Sequence, residues 1–126
     1  MLVSVEKEML TVCLLDDDDS MLKSVERLLA GEGWRVKSFL DPREFLAYAK
    51  AHLPRVAVID ISMPIMDGLE VQKRLRDLSP ASRVIILTSK DDPSIRSQAL
   101  SAGAVAFFVK PAPHDVFLAG VDAAAV

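Results

Sequence analysis

Four consecutive carboxylates, Asp16 to Asp19, follow a short apolar run; Asp60 ends a second such run, Thr88 a third and Lys110 a fourth. These are the residues whose types could do chemistry together. Two carboxylates about 4 Å apart repel by about 4 kcal/mol at an effective dielectric near 20, so converging acids need a cation, protonation or separation. Oxygen ligands without His or Cys nearby favour Mg²⁺, Ca²⁺ or Mn²⁺ over zinc, and a few carboxylates with water and phosphate are the usual way to hold Mg²⁺. A carboxylate at a rigid strand end is also a nucleophile that can accept a phosphoryl group as an acyl phosphate. The protein then has to hold phosphorus in line and neutralise its oxygens, work suited to Lys110 and the Thr88 hydroxyl. Each residue has a plainer reading: a helix-capping Asp60, a surface Lys110, a sheet-edge Thr88. For Asp18 and Asp19 the plainer reading is a solvated helix start, where acids suit the helix dipole.

The joint reading demands that distant residues meet. Five apolar runs of strand length occur at Thr11–Leu15, Arg35–Phe39, Arg55–Ile59, Arg83–Leu87 and Val105–Val109. The first, third and fourth are almost continuously apolar, as parallel strands covered on both faces should be. Helical patterns fill the gaps. Met21, Leu22, Val25, Leu28 and Leu29 form a stripe that stops at Gly31 and Gly33. Asp41-Pro42 and Asp92-Pro93 have the order of an N-cap followed by proline in the first turn. A third helix follows Gly68, and a fifth opens at Pro113-His114-Asp115. The alternation predicts an α/β fold with a doubly wound, five-stranded parallel sheet and five helices. With strand order 2-1-3-4-5, ligands bind beyond the carboxyl ends of the strands, where Asp16, Asp60, Thr88 and Lys110 lie.

The chain has 126 residues, 51% hydrophobic and 26% charged, which suits one globular domain. Residues 1–10 read as a partly ordered N-terminal extension. Cys13 is the single cysteine, so no internal disulfide forms; within an apolar run it reads as a core residue. No run reaches the roughly 18 apolar residues of a membrane span, and the first residues lack the order of a secretory signal. A net charge of −3 gives no indication of nucleic-acid binding. A cytoplasmic domain with no membrane contact is expected. His52 and His114 read as surface or capping residues, Trp34 as packing a loop, and the Met residues after Asp60 as packing.

Leu14-Leu15-Asp16-Asp17-Asp18, the segment Asp60-Ile-Ser-Met-Pro-Ile-Met-Asp-Gly68, Ile85-Ile86-Leu87-Thr88-Ser89 and Phe107-Phe108-Val109-Lys110-Pro111 resemble, in order, the acidic pocket, phosphorylation loop, switch segment and strand 5 signature of response-regulator receiver domains. The resemblance implies a flavodoxin-like fold and a two-component phosphorelay switch rather than a turnover enzyme. It implies that Asp60 is the phosphoacceptor. Asp17, Asp60 and the Ser62 backbone carbonyl would bind Mg²⁺, with Asp16 helping through water and Mn²⁺ as a substitute metal. Thr88 and Lys110 would contact the phosphoryl oxygens, and Phe107 would turn inward as Thr88 moves. A cis Lys110-Pro111 bond is implied too. The partners implied are a sensor histidine kinase or phosphotransfer protein, with a homodimer forming through the fourth helix, fifth strand and fifth helix. Ala112 departs from the family, which often has Phe there.

Two other readings compete. Asp16-Asp17-Asp18-Asp19-Ser20 resembles the first motif of aspartate-nucleophile phosphohydrolases of the haloacid-dehalogenase type, although only Asp115 and Asp122 remain for that family's last acidic motif. A non-phosphorylated pseudo-receiver is the other, although such modules typically lose an acidic or lysine position and none is missing here.

Overall fold

The computed structural model describes residues 2–126. Five strands, β1 (Thr11–Leu15), β2 (Arg35–Phe39), β3 (Val56–Ile59), β4 (Arg83–Thr88) and β5 (Ala106–Val109), form one parallel sheet in the order β2-β1-β3-β4-β5. The predicted order is the observed one. The ends differ slightly: β3 starts at Val56, β4 runs on to Thr88 and β5 starts at Ala106.

Strand alternation explains the continuous apolar runs. Cys13 and Leu15, Ala57 and Ile59, and Val84 and Ile86 face one core. Their neighbours Val12 and Leu14, Val56 and Val58, and Ile85 and Leu87 face the other. Because both faces are covered, successive side chains pointing opposite ways are all buried. Each fully buried Leu or Ile among them contributes about 1.5–3 kcal/mol. Helices α3 (Pro42–His52), α4 (Gly68–Leu78) and α5 (Pro93–Ser101) close the first core with Phe45, Ala49, Val71, Leu75 and Ala99. Helices α2 (Asp19–Gly31) and α6 (His114–Ala125) close the second with Leu22, Leu29, Phe117 and Val121.

Six helices are therefore present among the described residues, one more than the pattern predicts. The addition is α1 (Ser4–Met9), six residues long and too short to show a helical period. The fourth and fifth predicted helices are α5 and α6. Aspartates cap four helices: Asp18, Asp41, Asp67 and Asp92 each accept a backbone N–H from the first turn of α2, α3, α4 and α5. Such a cap contributes about 1 kcal/mol. Gly33 takes φ 93° after α2 and Gly103 φ 106° after α5. Trp34 is buried in the second core, beyond the loop-packing role expected of it. Cys13 is fully buried, and His52 and His114 are exposed. No helix of the described residues is long and apolar enough to cross a membrane.

Candidate functional site

The sheet ladder continues one residue beyond its strands, and that extension builds the site. The Asp16 N–H donates to the Phe39 carbonyl at 3.2 Å, the Asp60 N–H to the Leu15 carbonyl at 3.0 Å, and the Lys110 N–H to the Thr88 carbonyl at 2.8 Å. Asp16, Asp60, Thr88 and Lys110 thus leave neighbouring strand ends on fixed backbone. The Lys110-Pro111 bond is cis.

Carboxylate oxygens of Asp16, Asp17 and Asp60 lie within 4.8 Å of one another. Asp16 and Asp60 are buried, whereas Asp17 is exposed. The Lys110 ammonium reaches across 94 positions of sequence to Asp16 Oδ2 at 2.5 Å and lies 3.5 Å from Asp60 Oδ2. Burial pushes the Asp16 carboxyl above the usual carboxylate range, Lys110 and the Asp18 N–H pull it back, and the neighbouring Asp60 charge adds to the rise. Asp60 Oδ1 is buried with no hydrogen-bond partner among the described residues. A buried carboxylate oxygen left bare is costly, and oxygen donors alone suit a hard divalent cation. The donor set of Asp16, Asp17 and Asp60 therefore fits a hard divalent cation.

Thr88 is fully buried, and its hydroxyl accepts the Lys90 N–H at 3.2 Å. Being on β4, it is interior to the sheet, not at an edge. Ser62 is exposed in the loop after β3 and lines an open cleft with Lys90. Asp18 and Asp19 stay outside the cluster. Asp18 caps α2, and Asp19 pairs with Lys23 at 3.0 Å on the helix surface. Phe107 is already turned inward, buried in the first core, with the Arg96 guanidinium 5.5 Å from its ring centroid.

Two features of the site escape sequence reasoning. Gly68 opens α4 against the Asp60 carbonyl, so close that no Cβ fits there. The loop between them bends at Ile65, whose φ of 72° is accompanied by a Met66 N–H to Pro64 carbonyl bond of 2.7 Å. That is a γ-turn of the uncommon, strained hand. The Asp-Gly pair was visible as part of a motif, but neither contact has a local signal.

The sequence profile described as the response regulator receiver domain matches residues 12–122. The chain belongs to the response-regulator receiver family. Receiver domains of this family are two-component signalling switches, phosphoacceptors for histidine kinases, so the phosphohydrolase reading falls. Response regulator MprA of Mycolicibacterium vanbaalenii is 34% identical over 89% of this chain and 48% of its own length. Transcriptional regulatory protein FixJ of Rhizobium meliloti is 33% identical over 90% and 56%. The chain spans about half the length of the curated relatives it matches. Among solved structures, a CheY-like receiver domain protein from Methanospirillum hungatei superimposes with a TM-score of 0.86 at 27% identity, covering 90% of this chain and 91% of that one. The CheX–CheY–BeF₃–Mg²⁺ complex from Borrelia burgdorferi gives 0.87 at 25%, covering 93% and 90%. In this receiver, Ala112 lies beside a groove of 190 Å³ between α2 and α6 lined by Met21, Val25, Leu28, Leu87 and Phe117.

Proposed function

We propose that Asp60 accepts a phosphoryl group from the phosphohistidine of a sensor histidine kinase or phosphotransfer protein, or from a small acyl phosphate, and that the resulting charge switches the α5–β5–α6 face. The observation that carries this reading is the bare, buried Asp60 Oδ1 in a cluster where Asp16 Oδ2 and Asp60 Oδ2 face Lys110. In the transfer, the donor's P–N or P–O bond breaks as a bond forms from an Asp60 oxygen to phosphorus. The roles of the neighbours follow from their positions. Lys110 neutralises a phosphoryl oxygen, and the Thr88 hydroxyl, which accepts from the Lys90 N–H, has its own proton to donate to another. Asp17, Asp60 and the Ser62 carbonyl hold Mg²⁺, with Mn²⁺ as a substitute and Asp16 acting through water. When bound, the cation neutralises carboxylate and phosphoryl charge. The domain thereby promotes its own phosphorylation and slow dephosphorylation and has no other turnover.

The 190 Å³ groove shares Met21, Val25 and Leu87 with the pocket that reaches Asp16 and Asp60, which supports docking of the phosphodonor on α2. Phosphorylation adds about −1.5 to −2 charges at neutral pH. That charge draws on Thr88 and Lys110 and changes how β4 and β5 support α5 and α6, and a gap of a few kcal/mol between states suffices. Leu100 and Val116, 40% and 49% exposed, make that face the dimer or output surface, and Phe117 lies beneath it in the second core. We read all 126 residues as one cytoplasmic receiver domain, its first ten included, without direct nucleic-acid or membrane binding. The test is mass spectrometry after acetyl phosphate and Mg²⁺, with borohydride trapping. Wild type should carry one label on Asp60, and Asp60→Asn none. A label on Asp16, Asp17 or Asp67 refutes the assignment.

A further inference from the structure

Lys7 is a buried cation with no part in phosphoryl transfer. It lies on α1, before the segment that the family profile matches. The residue is 8% exposed. Its ammonium donates to the Glu32 carbonyl at 3.2 Å, pairs with Asp122 at 3.4 Å and sits 5.4 Å from the centroid of the buried Trp34 ring. These partners belong to the C-terminal cap of α2, the last turn of α6 and the residue before β2. A buried ammonium is costly unless paired and hydrogen-bonded, and here a carbonyl, a carboxylate and an aromatic face share that task. A second tie holds the same end of α6, because Arg55 Nε donates to the Ala125 carbonyl at 2.7 Å. The opposite end of α6, by contrast, has no side-chain cap.

We propose that α1 is a latch on α6: Lys7 fixes the C-terminal end of that helix to α2 and Trp34, so that α6 moves by pivoting about this end. Its bearing on signalling rests on the reading of α5–β5–α6 as the output face; the latch itself does not. The pivot leaves Val116 and Phe117, in the first turn of α6, as the part that travels. It also makes α1 part of the switch.

Hydrogen–deuterium exchange of the full chain tests this in wild type, Lys7→Met, Lys7→Arg and Asp122→Asn. Lys7→Met and Asp122→Asn should speed exchange in residues 114–125 by about tenfold, the effect of losing one charged hydrogen bond. Residues 56–60 and 83–88 should be unchanged, and Lys7→Arg should recover most of the protection. Label incorporation at Asp60 from acetyl phosphate should stay at the wild-type rate in all three variants, so the latch and the phosphoacceptor reading fail by separate measurements. Exchange of α6 within about twofold of wild type in both Lys7→Met and Asp122→Asn overturns the latch. An even rise across all five strands overturns it too, because that marks general destabilisation. If Lys7→Met does not fold, Asp122→Asn, which keeps the side-chain shape, decides by the same criteria.

Discussion

Replacing Gly68 by alanine should disable Asp60 without touching its carboxylate. An alanine Cβ at this position would lie 2.8 Å from the Ile61 Cα and 2.9 Å from the Asp60 carbonyl carbon, and closer still to the Asp60 carbonyl oxygen. Carbon contacts settle at about 3.5–4.0 Å, so the backbone must part by about 0.7–1 Å. None of the three atoms belongs to a flexible side chain. The Gly68 N–H is also bonded to the Ile61 carbonyl at 2.9 Å, which resists the separation. Overpacking of this kind costs about 1–3 kcal/mol, and displacing a reacting group by about 1 Å costs about 10²-fold in rate. Gly31→Ala is the control, since nothing lies within 4 Å of its added Cβ. It should leave phosphorylation unchanged and stabilise the end of α2 by less than about 1 kcal/mol. The assay is the initial rate of label incorporation from acetyl phosphate with Mg²⁺, alongside urea unfolding of the same samples. A Gly68→Ala protein phosphorylated at the wild-type rate would show that the contact does not position Asp60.

Four further outcomes are expected. Asp17→Asn should weaken Mg²⁺ binding strongly in a metal titration, and Asp19→Asn, whose carboxylate faces Lys23, should not; equal losses would mean the pocket is misassigned. Lys110→Ala should fold, as circular dichroism would show, yet phosphorylate slowly, and normal phosphorylation would remove Lys110 from the site. Ile65→Gly should raise stability by about 1 kcal/mol in urea unfolding, because glycine enters this γ-turn without the steric cost borne by a β-branched residue; a loss of stability would argue against strain at that turn. Cys13 should resist iodoacetamide at about pH 8.5 and react about a thousandfold faster in urea, the ratio of thiolate fractions, since burial pushes its thiol up to about 12. A folded pKa above the unfolded value stabilises fully below about pH 9, and that contribution is lost as pH rises toward about 12. Rapid native alkylation would contradict the burial.

Much of the fold was legible because its signals are local. Apolar runs marked the strands, Asp-Pro pairs marked two helix starts, and the rule that ligands bind at strand ends placed Asp16, Asp60, Thr88 and Lys110 together. The separation of Lys110 from Asp16 by 94 residues needed only the strand order to be bridged. What stayed hidden depends on packing between elements. Helix α1 is tied to the rest of the fold by Lys7, which meets Glu32, Trp34 and Asp122, partners 25 or more residues away. Gly120, inside α6, is another case: a Cβ there would lie 2.7 Å from the Phe108 ring. The sequence shows only a helix-weakening residue, while the structure shows the seat that it makes for that ring. Phe107 lies inward with Arg96 over its ring, a contact between α5 and β5 with no trace in either segment alone.

The sheet ends in β2 on one side and β5 on the other. An edge strand offers unpaired main-chain groups on which another chain can build, the first step toward fibres. On β2 the exposed residues are Arg35 and Lys37. A strand from a second molecule pairing there in register would set cation against cation, which is unfavourable. β5 has no charge in its Ala-Phe-Phe-Val run, but at four residues it is a short template. Protection from open-ended sheet growth thus rests on Arg35 and Lys37 at one edge and on the shortness of β5 at the other, features remote from phosphoryl chemistry.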